Sequence, residues 1–174
     1  MDNLLKALMR CRNTDNEFRP EIANPHWFKM PNDQLVLYST DGRILLIVKD
    51  TAGLLDKYEF EPSVRPNIAA VIPTEPCRQT LNYSRLAELM RRVKTDYDGQ
   101  RDIHSAIDIE GGIFHARMID RILTLWHELE LPDDVPFMVQ TLAPPTLKIE
   151  TEQFLIIQAG MVKDSDVITN LLIY

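Results

Sequence analysis

Three features of the sequence predict a mixed helix-and-strand fold of the α+β class. Apolar residues recur at helical spacing in two segments, Leu86, Leu89, Met90 and Val93, then Met118, Ile122, Leu125 and Leu129. Two Val/Leu/Ile-rich runs, Gln34 to Tyr38 and Arg43 to Val48, flank Ser39-Thr40-Asp41-Gly42. Asp-Gly there supplies the positive φ that a tight hairpin needs. Finally, a helix followed by strands occurs near the start and again from Phe114, outlining an internal repeat with little residue identity between its halves.

The elements follow in order. Leu4, Leu8 and Cys11 share one face of an opening helix, with Lys6 and Arg10 on another. Pro20 and Pro25 break regularity ahead of the hairpin. Residues 50 to 66 carry mixed charge and read as a loop or insertion, and Ile68 to Ile72 reads as a short strand ended by Pro73. Asn82 or Ser84 can cap the helix that carries Leu86 to Val93, with Arg85, Arg91 and Arg92 projecting from it. Residues 95 to 104 are polar loop. Ala106 to Glu110 reads as a strand and Gly111-Gly112 as a turn. A third helix spans about Phe114 to Leu129 and stops at Pro132; Phe137 to Leu142, Thr146 to Glu150 and Phe154 to Gln158 read as strands. Residues 163 to 174 form a tail ending in Leu171-Leu172-Ile173-Tyr174.

At 174 residues, 45% hydrophobic and 26% charged, the chain has material for one globular domain with a sizeable core. Cys11 and Cys77 are too few for a disulfide framework, so a reduced, cytoplasmic setting is expected. The first 13 residues lack the pattern of a signal peptide, and the longest apolar runs are too short to span a bilayer. No membrane association is expected. A net charge of −7 argues against coating the whole surface with nucleic acid, while leaving room for a local basic face.

Catalytic chemistry is not legible. His26, His104, His115 and His127 have no metal-ligand spacing with each other or with the cysteines. Asp108 and Glu110 alternate with Ile107 and Ile109, as on the solvent face of a strand. Gly111-Gly112 lacks the partners of a phosphate loop, and no Ser, Thr or Cys stands in a nucleophile motif. A binding protein without catalytic residues, metal or cofactor is expected.

Charge is segregated instead. Residues 4–13 carry +3, residues 84–94 carry +3 and residues 114–128 balance to zero, so the helices hold +6 and the rest of the chain −13. Basic helices on an acidic body could present one attractive face to a phosphate backbone; solvated helix faces are the plainer reading.

Several segments, in order, resemble the bacterial DNA sliding clamp, the beta subunit of DNA polymerase III. They are Leu4 to Leu8, Arg19-Pro20-Glu21-Ile22 and Gln34 to Gly42, then Val71-Ile72-Pro73-Thr74 with the helix Arg85 to Val93. Phe114-His115-Ala116-Arg117, Pro144 to Ile149 and Phe154 to Met161 complete the likeness. The resemblance implies a clamp-like domain of two βαβββ-type halves, with helices on one side of antiparallel sheets. In the family, such domains close a ring around duplex DNA, helices lining the hole, and offer a hydrophobic pocket to short peptides. Family chains hold three domains where this one has material for about one. Arg43-Ile44 stands where the family has His-Arg, and Gly160 and Val162 where it has Pro and Arg. The expected organisation is one domain over 1–162, with an insertion or extra helix at about 51–105, and a tail over 163–174. A truncated half followed by most of another domain is the other parse.

The resemblance implies a processivity-type DNA-replication accessory protein, of phage or mobile-element kind, that binds duplex DNA without sequence specificity as a homo-oligomer. Its expected DNA-facing residues are Lys6, Arg10, Arg19, Arg85, Arg92, Arg117 and Arg121. Its expected protein-interaction residues are Met161, Leu171, Leu172 and Tyr174, serving peptide motifs of replication or repair proteins. The alternative is a peptide-binding or clamp-mimicking module that does not encircle DNA.

Overall fold

The apolar runs of the sequence become strands that bury both of their faces. The structure, a computed structural model, describes residues 2–14, 19–49, 56–62, 67–74, 79–93, 106–140, 145–160 and 171–173. In chain order the elements are α1 (Asn3–Cys11), a 3-10 turn (Pro20–Ile22), β1 (His26–Lys29), β2 (Leu35–Thr40), β3 (Ile44–Lys49) and a 3-10 helix (Ile68–Val71). There follow β4 (Gln79–Leu81), α2 (Tyr83–Arg92), β5 (Ala106–Ile109), β6 (Gly112–His115) and α3 (Ala116–Glu128). The last are β7 (Phe137–Gln140), β8 (Thr146–Glu150), β9 (Phe154–Ala159) and β10 (Leu171–Ile173). The expected repeat is present as α1 with β1-β2-β3, and β6-α3 with β7-β8-β9.

The chain packs as two compact units, Met1–Glu75 with Ile149–Ile157, and Pro76–Lys148 with Gln158–Tyr174. The β8–β9 hairpin contributes residues to each.

In the first unit the strand order is β1-β2-β3-β9. β2 and β3 pair antiparallel with Thr40 opposite Leu45, the register set by the Asp41-Gly42 turn. Val36, Tyr38, Leu45, Ile47, Leu155 and Ile157 form one buried face, closed by Ile68 with Phe28, Met30 and Ile72 at its rim. The alternate positions Leu37, Ser39, Ile44, Leu46 and Val48 are equally buried. There the Ser39 hydroxyl donates to the Leu8 carbonyl at 2.7 Å, tying α1 to β2. Ala7, Leu8 and Cys11 form the buried side of α1.

Asp2 fixes the start of α1. Its Oδ1 accepts the Leu5 N–H at 2.8 Å, the N-cap bond that satisfies an otherwise orphaned helix donor. The same carboxylate meets Lys57 Nζ at 2.8 Å and accepts from the Tyr58 hydroxyl. The Lys57 bond foremost, then the Leu5 N–H and the Tyr58 hydroxyl, lower its pKa from 3.8 to about 2. Further along the same segment, Trp27 N–H donates to the Glu61 carbonyl and Pro62 bridges Trp27. Glu61 and Pro62 therefore cover the outer edge of β1 at Trp27, and Pro62 offers no donor to a further strand.

In the second unit the orders are β8-β7-β4 and β10-β5-β6. α2 is capped by Asn82, whose side chain accepts from Arg85 N–H, and buries Leu86, Leu89 and Met90. α3 packs against α2 and buries Ile119, Ile122, Leu125 and Trp126. Trp126 meets Phe137 of β7 edge-on, ring centroids 6.4 Å apart, and Tyr83 of α2 at 5.5 Å. Glu110 (φ 53°) and Gly111 (φ 86°) make the β5–β6 turn, braced by Gly111 N–H donating to Asp108.

Several expectations are corrected. Ile68 to Ile72 is not a strand; Ile68–Val71 winds into a 3-10 helix that inserts Ile68 into the sheet's core. Phe114 and His115 end β6 rather than begin the helix, which starts at Ala116. The short strands β1 and β4 carry no alternation that a sequence reading could use. Of the two apolar stripes, Leu86, Leu89, Met90, Val93, Ile122, Leu125 and Leu129 are buried and Met118 is half-buried; Leu147 of β8 and Ile156 of β9 are buried too. Ile156 belongs to the first unit, the others to the second.

Leu89 is 2% exposed, so Leu89→Ala is expected to lower stability by about 2–5 kcal/mol through lost transfer energy and the cavity left, read as a shift in urea midpoint. Asp2→Ala removes the α1 cap and should cost about 0.5–2 kcal/mol in the same measurement. Because folding depresses the Asp2 pKa, its contribution is complete above 3.8 and is lost as pH falls towards about 2. Asp2→Asn should therefore flatten the acid limb of a stability–pH curve between those values; an unchanged limb would show that Asp2 is not held by Lys57 and Tyr58.

Candidate nucleic-acid interface

The seven basic residues expected to face DNA fall on the solvent sides of three helices and one turn. On α1, Lys6 and Arg10 are exposed, one helical turn apart and away from Ala7, Leu8 and Cys11. Arg19 is placed by the short 3-10 turn after it: Ile22 N–H donates to the Arg19 carbonyl, and Asn13 N–H to the Ile22 carbonyl. Its guanidinium reaches the β2–β3 turn, where a Cβ on Gly42 would lie only 2.8 Å from Arg19 Nη1. The turn is internally bonded. Thr40 Oγ1 donates to the Ile44 carbonyl and accepts from Gly42 N–H, while Asp41 Oδ1 accepts from the Arg43 and Ile44 N–H groups. The Arg-Pro step and the Thr-Asp-Gly turn, about twenty residues apart in sequence, are thus neighbours in the fold.

In the second unit, Arg85 and Arg92 lie on one stripe of α2 with Glu88 between them. Arg85 Nη1 is 2.9 Å from Glu88 Oε2, and Arg92 Nη2 pairs with Glu88 Oε1. The two guanidinium groups, Arg85 first, hold the Glu88 carboxyl below the usual carboxylate range. Arg91, also exposed, donates from Nε to the Ala87 carbonyl. Arg117 is exposed and Arg121 half-exposed on α3, again one turn apart. Within the observed helix bounds the formal charges are +2 for α1, +2 for α2 and zero for α3. Arg12 falls just past α1, and Lys94 lies outside the described residues. The helices are therefore less basic than the broader sequence windows indicate. An open cleft of about 330 Å³ is lined by Leu81, Asn82, Arg85, Asp134 and Pro136, offering a cation and a carboxylate together.

The backbone of Leu171 and Leu172 lies in β10, pairing in parallel with Ala106 and Ile107 of β5. Met161 and Tyr174 lie outside the described residues. Among the described residues, no helix is long and apolar enough to cross a membrane.

Two crystal structures share this arrangement of elements. The DNA polymerase III beta chain of Streptococcus pneumoniae TIGR4 superposes with a TM-score of 0.53 at 10% sequence identity, over 93% of this chain and 63% of that one. The beta subunit from DNA polymerase of Streptococcus pyogenes gives 0.51 at 11% identity, with the same coverages of 93% and 63%.

The fold is clamp-like.

It is α+β, as the resemblance implies, and the chain spans less than two thirds of the length of either beta chain. No family model matches the sequence, and neither does any curated protein. At 10–11% identity the likeness lies in the clamp-like backbone, not in side chains. The sequence reading counted Glu88 only as a charge within residues 84–94 and missed its pairing, although its position three residues after Arg85 and four before Arg92 is the spacing of helical ion pairs.

Gly42 has φ +88° with the Arg19 guanidinium against it. Gly42→Ala is expected to lower stability by about 1–2 kcal/mol from backbone strain, with little added by Arg19, whose guanidinium is the end of a flexible side chain and can move aside. In a double-mutant cycle, Arg19→Ala should therefore leave that cost nearly unchanged, and a large recovery would show that the guanidinium is pinned against the turn.

Proposed function

We propose that this clamp-like chain is a DNA-associated accessory protein of the processivity type, acting by binding rather than turnover. In this reading residues 1–162 form one clamp-type domain whose halves are the two compact units, with 163–174 as a tail. Several copies assemble, and Lys6, Arg10, Arg19, Arg85, Arg92, Arg117 and Arg121 meet phosphates of duplex DNA without reading its sequence. The observation that carries the reading is the clamp-like backbone with these cations on the solvent sides of its helices. An acidic remainder favours it, because the rest of the surface then repels the duplex.

The neutral charge of α3 and the ion pairs of α2 favour a second reading, a clamp-like module that binds peptides of replication or repair proteins and does not encircle DNA. Light scattering with and without duplex separates the two. The first reading requires a defined oligomer that retains DNA; a monomer indifferent to DNA leaves the second.

Arg85→Glu with Arg92→Glu should weaken retention and flatten the slope of log K against log salt by about 0.9 for each phosphate no longer neutralised. The measurement is fluorescence anisotropy on a duplex of arbitrary sequence, after circular dichroism has shown the variant folded. Retention indifferent to this change at every salt concentration would remove α2 from the interface.

A further inference from the structure

We propose that Glu88 acts as a built-in competitor for phosphate: it holds Arg85 and Arg92 in ion pairs that a DNA backbone must displace. The inference rests on the DNA-binding reading above and adds a residue that sets the strength of binding. Glu88 stands between the two arginines on one stripe of α2, three residues after one and four before the other. Each of its carboxylate oxygens is engaged by a different guanidinium. A carboxylate and a phosphate oxygen present the same chemistry to an arginine fork, so the two compete for one set of donors. The three side chains are only partly covered, at 41%, 39% and 48% exposure for Arg85, Glu88 and Arg92. The pairs are therefore open to solvent and salt, and a polyanion can reach and replace Glu88 without unpacking the core. Leu86, Leu89 and Met90, which seat the helix, are buried and take no part in these pairs.

One consequence is that α2, the more basic of the two helices of its unit, engages DNA less strongly than its cations suggest. Two of its three arginines are partly neutralised before any duplex arrives.

The test is anisotropy on a duplex of arbitrary sequence across a salt series, using the full chain. Glu88→Gln should tighten binding roughly twofold for each ion pair that the duplex no longer has to displace, the worth of an exposed helical pair. Glu88→Asp keeps the charge but shortens the reach, so it should give a smaller gain in the same direction. Glu152→Gln removes one exposed acid from the β8–β9 turn and controls for net charge alone. In an Arg85→Gln, Arg92→Gln background, Glu88→Gln should give no gain. If the wild type binds DNA and Glu88→Gln changes neither affinity nor slope, or changes them no more than Glu152→Gln, the competitor role is overturned while the DNA-binding reading stands. If neither wild type nor variants bind duplex at any salt, the DNA-binding reading fails and the role of Glu88 falls with it. Should Glu88→Gln lose helix content, the Glu88→Asp variant decides, since it keeps the net charge and a carboxylate in α2.

Discussion

Burial of both faces of β2, β3 and β9 is the constraint on which the first unit depends. Ile44 to Val48 is buried without interruption, and so is Val36 to Thr40. A strand of that kind cannot lie at a surface, so each face needs a cover. α1 supplies one, through Ala7, Leu8, Cys11 and the Ser39–Leu8 hydrogen bond. The 3-10 helix supplies the other by inserting Ile68. Each fully buried aliphatic side chain contributes roughly 1.5–3 kcal/mol, so neither cover is dispensable. Asp2 then matters beyond its own bonds, because it joins the start of α1 to residues 57 and 58, and that segment runs on to close the edge of β1.

The same packing decides where charge can go. A helix that gives one side to a core has only the opposite side for its cations, so Lys6 and Arg10 on α1 face outward because Leu8 and Cys11 face inward. α2 and α3 obey the same rule around Leu89 and Ile122. Amphipathicity therefore sorts the basic residues onto solvent faces before any ligand is considered. What it does not do is keep them free. Glu88 shares the stripe of Arg85 and Arg92, and the helix geometry that aligns the arginines also pairs them with its carboxylate.

Elements with a strong local signal were legible. The Asp41-Gly42 hairpin, the α2 stripe with its Asn82 cap, and the β7, β8 and β9 strands all form close to where the sequence placed them. Ile68 to Ile72 was not, since a five-residue apolar run has no period to separate strand from 3-10 helix. β4 is held by antiparallel pairing to β7, far along the chain, so no local pattern marks it, while β1 pairs with β2 across a short hairpin but its four residues show no alternation of burial. β6 was hidden for a different reason. Gly112 to His115 runs directly into α3, and His115 accepts no capping bond that would announce the boundary.

By itself the sequence determined the α+β class, the helix-then-strands repeat and the outward cations, because each rests on side-chain periodicity within a segment. It also carried the order of motifs that resembles a clamp, and the backbone has a clamp-like fold. Only the tertiary structure decided that Arg19 lies against Gly42, that Glu61 and Pro62 cover β1, and that Ile68 fills the sheet's second face. These are contacts between segments far apart in sequence, set by how sheets and helices exclude water together, and no window along the chain contains both partners.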